Sequence, residues 1–200
     1  MLNARIRAAW DGIMRPIGGA VSRGGVDADA ITVAGVVVQA AGAWLIVRGA
    51  IVAAGFVTIA AGLFDVLDGA VAKAQGRQGK FGALLDSTTD RVSDGLILAS
   101  VAWLYGVDPD VARHDEPWVA AAALGTLIAS YLVSYVKARA EGLGYSCDVG
   151  IAERAERLMI VIAGLLFDLL PVAIAILGAL SVVTFAQRVV HVRGQDRRSP

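Results

Sequence analysis

The chain has 200 residues, 56% of them hydrophobic, with 18 basic and 18 acidic side chains and a formal net charge of zero. A balanced charge gives no global basic field and argues against nucleic acid as a partner. The single cysteine, Cys147, excludes an intrachain disulfide and a multi-thiolate metal site.

The N-terminal stretch sets Arg5, Arg7, Asp11 and Arg15 among Leu2, Ile6, Trp10, Ile13 and Met14. It lacks the unbroken apolar centre of a signal peptide and reads as an amphipathic helix over 1–24, lying in the membrane interface. Uncharged runs follow. Ile31 to Val47 and, further on, Trp118 to Val136 approach the roughly 20 apolar residues that cross a ~30 Å hydrocarbon core. Ile51 to Phe64 and Gly95 to Tyr105 are too short alone, and become spans only if the aspartate-bearing segments beside them belong to the same helices. Leu158 to Ala186, interrupted by Asp168 and Pro171, is too long for one span. A tight turn at Asp168-Leu169-Leu170-Pro171 divides it, provided that the fifth helix starts near Ile151.

The expected fold is an all-α integral membrane protein, one membrane domain over 1–200, in which six transmembrane helices follow the interfacial helix. The spans fall at roughly 29–48, 50–73, 82–105, 117–140, 151–170 and 172–192, a core over 29–192. With the N-terminus in the cytoplasm, 16 of the 18 basic residues lie at the inner face, and only Arg48 and Arg113 lie outside. That asymmetry is what the positive-inside rule demands, and it puts both termini on the cytoplasmic side of the cell membrane. The acidic loop Val107 to Pro117 then lies outside.

Four aspartates stand inside the second and third predicted spans. Asp65 follows Ile51 by 14 residues and Asp90 precedes Tyr105 by 15, so each sits about 21–23 Å from the outer end of its helix. The helices run in opposite directions, which brings the acidic residues to one layer near the cytoplasmic boundary. Asp65 and Asp68 are three apart and Asp86 and Asp90 four apart, the spacings that share a helix face. Each charge costs about 2.5–3.5 kcal/mol at a helix centre on insertion scales, and like charges repel in addition. Two hard divalent cations, Mg²⁺ or Mn²⁺, would cancel four carboxylates. Gly69 and Ala72 follow Asp65 at i+4 and i+7, and Gly82 precedes Asp86 by four, so ligand and backbone can come close, though such glycines also serve helix packing.

Read as a pattern, these residues are Asp65-x2-Asp68-Gly69-x2-Ala72-Lys73-x8-Gly82-x3-Asp86-x3-Asp90. The pattern resembles the signature of the CDP-alcohol phosphotransferase family at every fixed position but one, Lys73 standing where arginine is usual. The resemblance implies a membrane enzyme that transfers the phosphatidyl group of a CDP-linked lipid, CDP-diacylglycerol, to an alcohol and releases CMP. It implies two metal ions on Asp65, Asp68, Asp86 and Asp90, with Asp90 also taking the proton of the attacking hydroxyl. Thr32, Asp68, Gly69, Ala72, Lys73 and Gly82 would face the cytidine nucleotide. Lysine at position 73 is a point charge rather than a planar fork, so a bidentate phosphate contact is not expected there.

Ser134 to Glu141 ends the fourth predicted helix and Glu153 to Arg157 opens the fifth, bringing Lys137, Arg139, Arg154 and Arg157 to the cytoplasmic side. Such a cluster suits a phosphorylated acceptor; cations at cytoplasmic helix ends also bind membrane lipid headgroups or pair with Glu141, Glu153 and Glu156. SYVKARAEGLG, ERAERL and LLDSTTDRVSDG are similar to the branch of the family that takes inositol 1-phosphate and forms phosphatidylinositol phosphate. That likeness implies Ser134, Lys137, Arg154 and Arg157 as phosphate ligands, with Arg188 and Arg193 as weaker candidates, and by analogy a homodimer. Glycerol 3-phosphate stays open as an acceptor, since it needs cations too. A cation transporter is the alternative of another class, disfavoured because the carboxylates lean to one face and no internal repeat is present. Asp94 either orders a metal ligand or pairs with an arginine such as Arg91 or Arg139.

Overall fold

The computed structural model describes residues 14, 16–76, 79–107, 116–151 and 154–197. The predicted interfacial helix lies mostly outside these residues, as does most of the acidic loop at 107–117. The described residues hold helices and no strand: α1 over 16–23, α2 (Ala28–Val47), α3 (Ile51–Ala74), α4 (Lys80–Gly106), α5 (Trp118–Gly142), α6 (Arg154–Leu166) and α7 (Leu170–Asp196).

Local chemistry sets these boundaries. Asp27 Oδ1 accepts the Asp29 N–H at 3.3 Å at the start of α2, the bond an N-cap carboxylate makes. Gly49 (φ 73°) ends that helix; its N–H donates to Ile46 O at 2.9 Å, and the Ala50 N–H donates to Leu45 O at 2.9 Å. That pair of bonds is a Schellman closure, and it turns the chain into α3 within three residues. α5 closes the same way at Gly144 (φ 87°), with the Tyr145 N–H on Ala140 O at 3.0 Å. Between α6 and α7 the left-handed residue is Asp168 (φ 54°), one of the few types besides glycine that tolerate it, and Pro171 sits in the first turn of α7.

Four helices, α2, α3, α5 and α7, are long and apolar enough to cross a membrane. Large apolar side chains such as Val37, Trp44, Phe56, Ile128, Val182 and Val190 point outward, as lipid-facing positions do. At 27 residues α4 has the length, but Asp86, Asp90, Arg91 and Asp94 lie between its start and its middle turn. α6 is shorter than its predicted span of 151–170: 13 residues reach about 20 Å, less than a ~30 Å core. Its helix stops at Leu166 because the turn through Asp168 needs the residues that the apolar pattern had given to the helix.

The chain divides into two compact units. The described residues of Met1–Ala41 and Val57–Ser93 form one. Its core sets Ala28, Ile31 and Val71 against Val21, Phe64, Leu67 and Ala72. α1 approaches so closely that a Cβ on Gly18 would lie 2.7 Å from the Ala70 carbonyl. Gly42–Phe56 and Asp94–Pro200 form the second unit. Its core gathers Ile46, Val101, Leu104, Tyr105, Leu165 and Ile174, and α7 packs along α5 and α6.

Candidate metal and nucleotide site

In the first unit, α3 carries Asp65 and Asp68 and α4 carries Asp86. One carboxylate oxygen from each lies within 4.8 Å of the others. Asp68 is buried, Asp65 half-buried and Asp86 exposed. At that separation each pair of charges repels by about 3–4 kcal/mol at an effective dielectric near 20. Oxygen donors alone, converging from two helices, fit a hard divalent cation.

Asp90 follows Asp86 by one turn of α4 and is 8% exposed. Its Oδ2 accepts from Arg91 Nη2 at 3.3 Å, and it is not one of the three converging carboxylates. Thr32, half-buried on α2, donates its hydroxyl to Asp68 Oδ2 at 2.6 Å. Ala72 is half-buried and Lys73 exposed at the end of α3. Gly69 and Gly82 have open space where a side chain would begin, with no atom within 4 Å of a Cβ. Elsewhere glycine lets helices touch: a Cβ on Gly55 would meet Leu166 Cδ2 at 2.8 Å, and one on Gly164 would meet Ala173 Cβ at 2.5 Å. Among the described residues, then, the glycines beside the aspartates serve no packing contact.

The predicted acceptor residues all lie in the second unit, in different settings. Lys137 Nζ pairs with Asp148 at 2.8 Å and with Glu141 at 3.6 Å. That pairing holds the exposed Asp148 carboxyl below the usual carboxylate range, through the hydrogen bond first and the charge second. Ser134 donates back to Ser130 O at 3.1 Å. Arg154 is half-buried at the start of α6, and Arg193 is exposed near the end of α7. Arg157 is buried instead: Nη1 donates to Ser130 Oγ at 2.9 Å, and Nη2 lies 3.4 Å from Asp94 Oδ2. Arg188 is also buried, its Nε on Val149 O at 2.9 Å and its Nη1 on Val133 O at 2.7 Å. The Val133 bond ties α5 to α7, and the Val149 bond, with Tyr145 on Asp196 at 2.7 Å and Gln195 on Ser146 O at 2.6 Å, stitches the loop after α5 to α7.

Sequence reading did not find Ser130 or Asp148, nor the bond between Thr32 and Asp68. The only available signals were a hydroxyl one turn before Ser134 and an acid eleven residues beyond Lys137.

The model of the family described as CDP-alcohol phosphatidyltransferase matches residues 26–189. The chain belongs to the CDP-alcohol phosphatidyltransferase family. The matched span contains every candidate residue of this phosphatidyltransferase except Arg193. The chain is 39% identical to the phosphatidylinositol phosphate synthase of Mycolicibacterium smegmatis over 94% of its own length and 86% of that protein's. It is 36% identical to the enzyme of the same name from Streptomyces avermitilis, over 98% and 84%. The structure resembles the crystal structure of the Mycobacterium tuberculosis phosphatidylinositol phosphate synthase with CDP-DAG bound, with TM-score 0.81, 35% identity, and coverage of 90% of this chain and 93% of that one. The same mycobacterial protein in complex with manganese and citrate gives TM-score 0.81 at 35% identity, with coverage of 90% and 88%.

Proposed function

We propose that this phosphatidyltransferase moves the phosphatidyl group of CDP-diacylglycerol onto inositol 1-phosphate, giving phosphatidylinositol phosphate and CMP. The observation that carries the reading is the convergence of Asp65, Asp68 and Asp86 within 4.8 Å, in a chain whose relatives along most of its length are named for that product. A mycobacterial relative solved once with CDP-DAG and once with manganese supports both donor and metal.

Asp65, Asp68 and Asp86, joined by Asp90, would hold two Mg²⁺ or Mn²⁺ ions. Ions so bound polarise the phosphoryl group, stabilise the departing phosphate and acidify the attacking hydroxyl. An Asp90 carboxylate oxygen takes the hydroxyl proton as the acceptor oxygen bonds to the phosphatidyl phosphorus. The bond from that phosphorus to the CMP phosphate breaks, and CMP leaves with the electron pair. Arg91, 3.3 Å from Asp90 Oδ2, orients the base. Open space at Gly69 and Gly82 admits the nucleotide, with Ala72 and Lys73 beside it. Ser134, Lys137, Arg154 and Arg193 bind the acceptor phosphate. The buried bonds of Arg157 argue for a part in holding helices together instead.

The reading includes six spans, with α4 and α6 crossing alongside the four apolar helices. Both termini and the site then lie on the cytoplasmic side of the cell membrane, in a single functional domain that acts as a homodimer. Sixteen basic residues of 18 falling inside support that orientation.

Purified protein given CDP-diacylglycerol, Mn²⁺ and one of inositol 1-phosphate, glycerol 3-phosphate, free inositol or serine tests the acceptor. CMP release should be fastest with inositol 1-phosphate. Equal or faster release with glycerol 3-phosphate overturns the acceptor assignment.

A further inference from the structure

We infer that Thr32 is a positioning residue for Asp68 as a metal ligand. The inference rests on the metal-site reading of the aspartate cluster.

A threonine inside a helix ordinarily returns its hydroxyl proton to the carbonyl four residues earlier. Here that carbonyl, of Ala28, lies 3.1 Å from Thr32 Oγ1, whereas Asp68 Oδ2 lies at 2.6 Å. One hydroxyl carries one proton. The nearer acceptor is the charged one, and its distance is in the short range of hydrogen bonds to an ionised oxygen. The proton therefore goes to Asp68.

Asp68 has reason to need a tether. Oxygens from Asp65 and Asp86 crowd it within 4.8 Å, and their repulsion favours side-chain torsions that carry its carboxylate away. Thr32 resists that from a fixed base: its neighbours Ala28 and Ile31 on α2 are buried in one core with Val71 of α3, and all these residues belong to the same compact unit. A hydroxyl that donates to a ligating carboxylate fixes the ligand's orientation without competing for the cation. Serine keeps that donor. Valine, of nearly the same shape, does not.

The test titrates Mn²⁺ into the full-length protein in detergent, without lipid substrate, and follows the loss of the free-ion signal by electron paramagnetic resonance. Thr32→Val should weaken Mn²⁺ binding about tenfold, and Thr32→Ser should stay within about twofold of wild type. Wild-type Mn²⁺ affinity in Thr32→Val overturns the inference, and so does a Thr32→Ser variant as impaired as Thr32→Val, which would assign the effect to side-chain packing. Failure of wild-type protein to bind Mn²⁺ removes the metal-site reading, and this inference with it; the other outcomes leave that reading standing.

Discussion

Arg157 Nη2 stands 3.4 Å from Asp94 Oδ2, and Ser130 Oγ joins the pair, accepting from Arg157 Nη1 and donating to Asp94, each at 2.9 Å. Three helices, α4, α5 and α6, meet in this network. An arginine only 7% exposed and already committed on two guanidinium nitrogens is badly placed to take up a soluble phosphate. Arg157→Met should strand the Asp94 carboxylate and cost about 3 kcal/mol or more of stability. The thermal midpoint in detergent should fall while KM for inositol 1-phosphate stays near wild type, and adding Asp94→Asn should recover part of the loss. Arg154→Ala should do the reverse, raising KM for the acceptor more than KM for the lipid.

Asp90→Asn keeps the shape of the side chain and removes its ability to accept a proton. CMP release from CDP-diacylglycerol should drop by about 10²–10⁴-fold, the usual worth of a general base, with thermal stability and nucleotide binding retained. Turnover at the wild-type rate would remove Asp90 from that role.

Two kinds of glycine can be told apart by adding one methyl group. Gly69→Ala and Gly82→Ala meet open space, so both variants should fold normally and show a raised KM for the lipid donor. Gly164→Ala would press against Ala173 of α7, whose Cβ stands 2.5 Å from the new atom. It should lose about 1–3 kcal/mol of stability to overpacking, which a thermal melt would register.

The bond from Lys137 lowers the Asp148 pKa in the folded chain. A depressed carboxylate contributes stability above its unfolded pKa of about 3.9, and that contribution is lost as pH falls through the lower folded value. Hydrogen exchange of residues 145–151 should show this tether unchanged between about pH 8 and pH 5, weakening only below about pH 4. Asp148→Asn should remove that acid-side change.

Helix positions were legible because a membrane span must be apolar for its whole length: α2, α3 and α5 begin and end within two residues of expectation. The aspartates were legible because carboxylates are costly there and need a partner. What escaped was which side each polar residue turns. Arg154 and Arg157 look alike at the start of α6, yet one is half-buried and the other sealed against Asp94. Asp94 and Arg157 are 63 residues apart and Thr32 and Asp68 are 36 apart; no local pattern encodes contacts at those separations. The shortening of α6 escaped for a different reason. Phe167 continues the apolar run, and only the left-handed Asp168 beyond it reveals that the helix has already ended.

Catalysis by the aspartate cluster is tested most directly by product analysis. Purified protein in liposomes receives CDP-diacylglycerol, inositol 1-phosphate and Mn²⁺, and the lipid formed is identified by mass spectrometry beside the CMP released. The expected result is phosphatidylinositol phosphate and CMP in equal amounts, both lost when EDTA is added and both lost in Asp86→Asn. Undiminished product from Asp86→Asn, or from wild-type protein stripped of divalent metal, would contradict it.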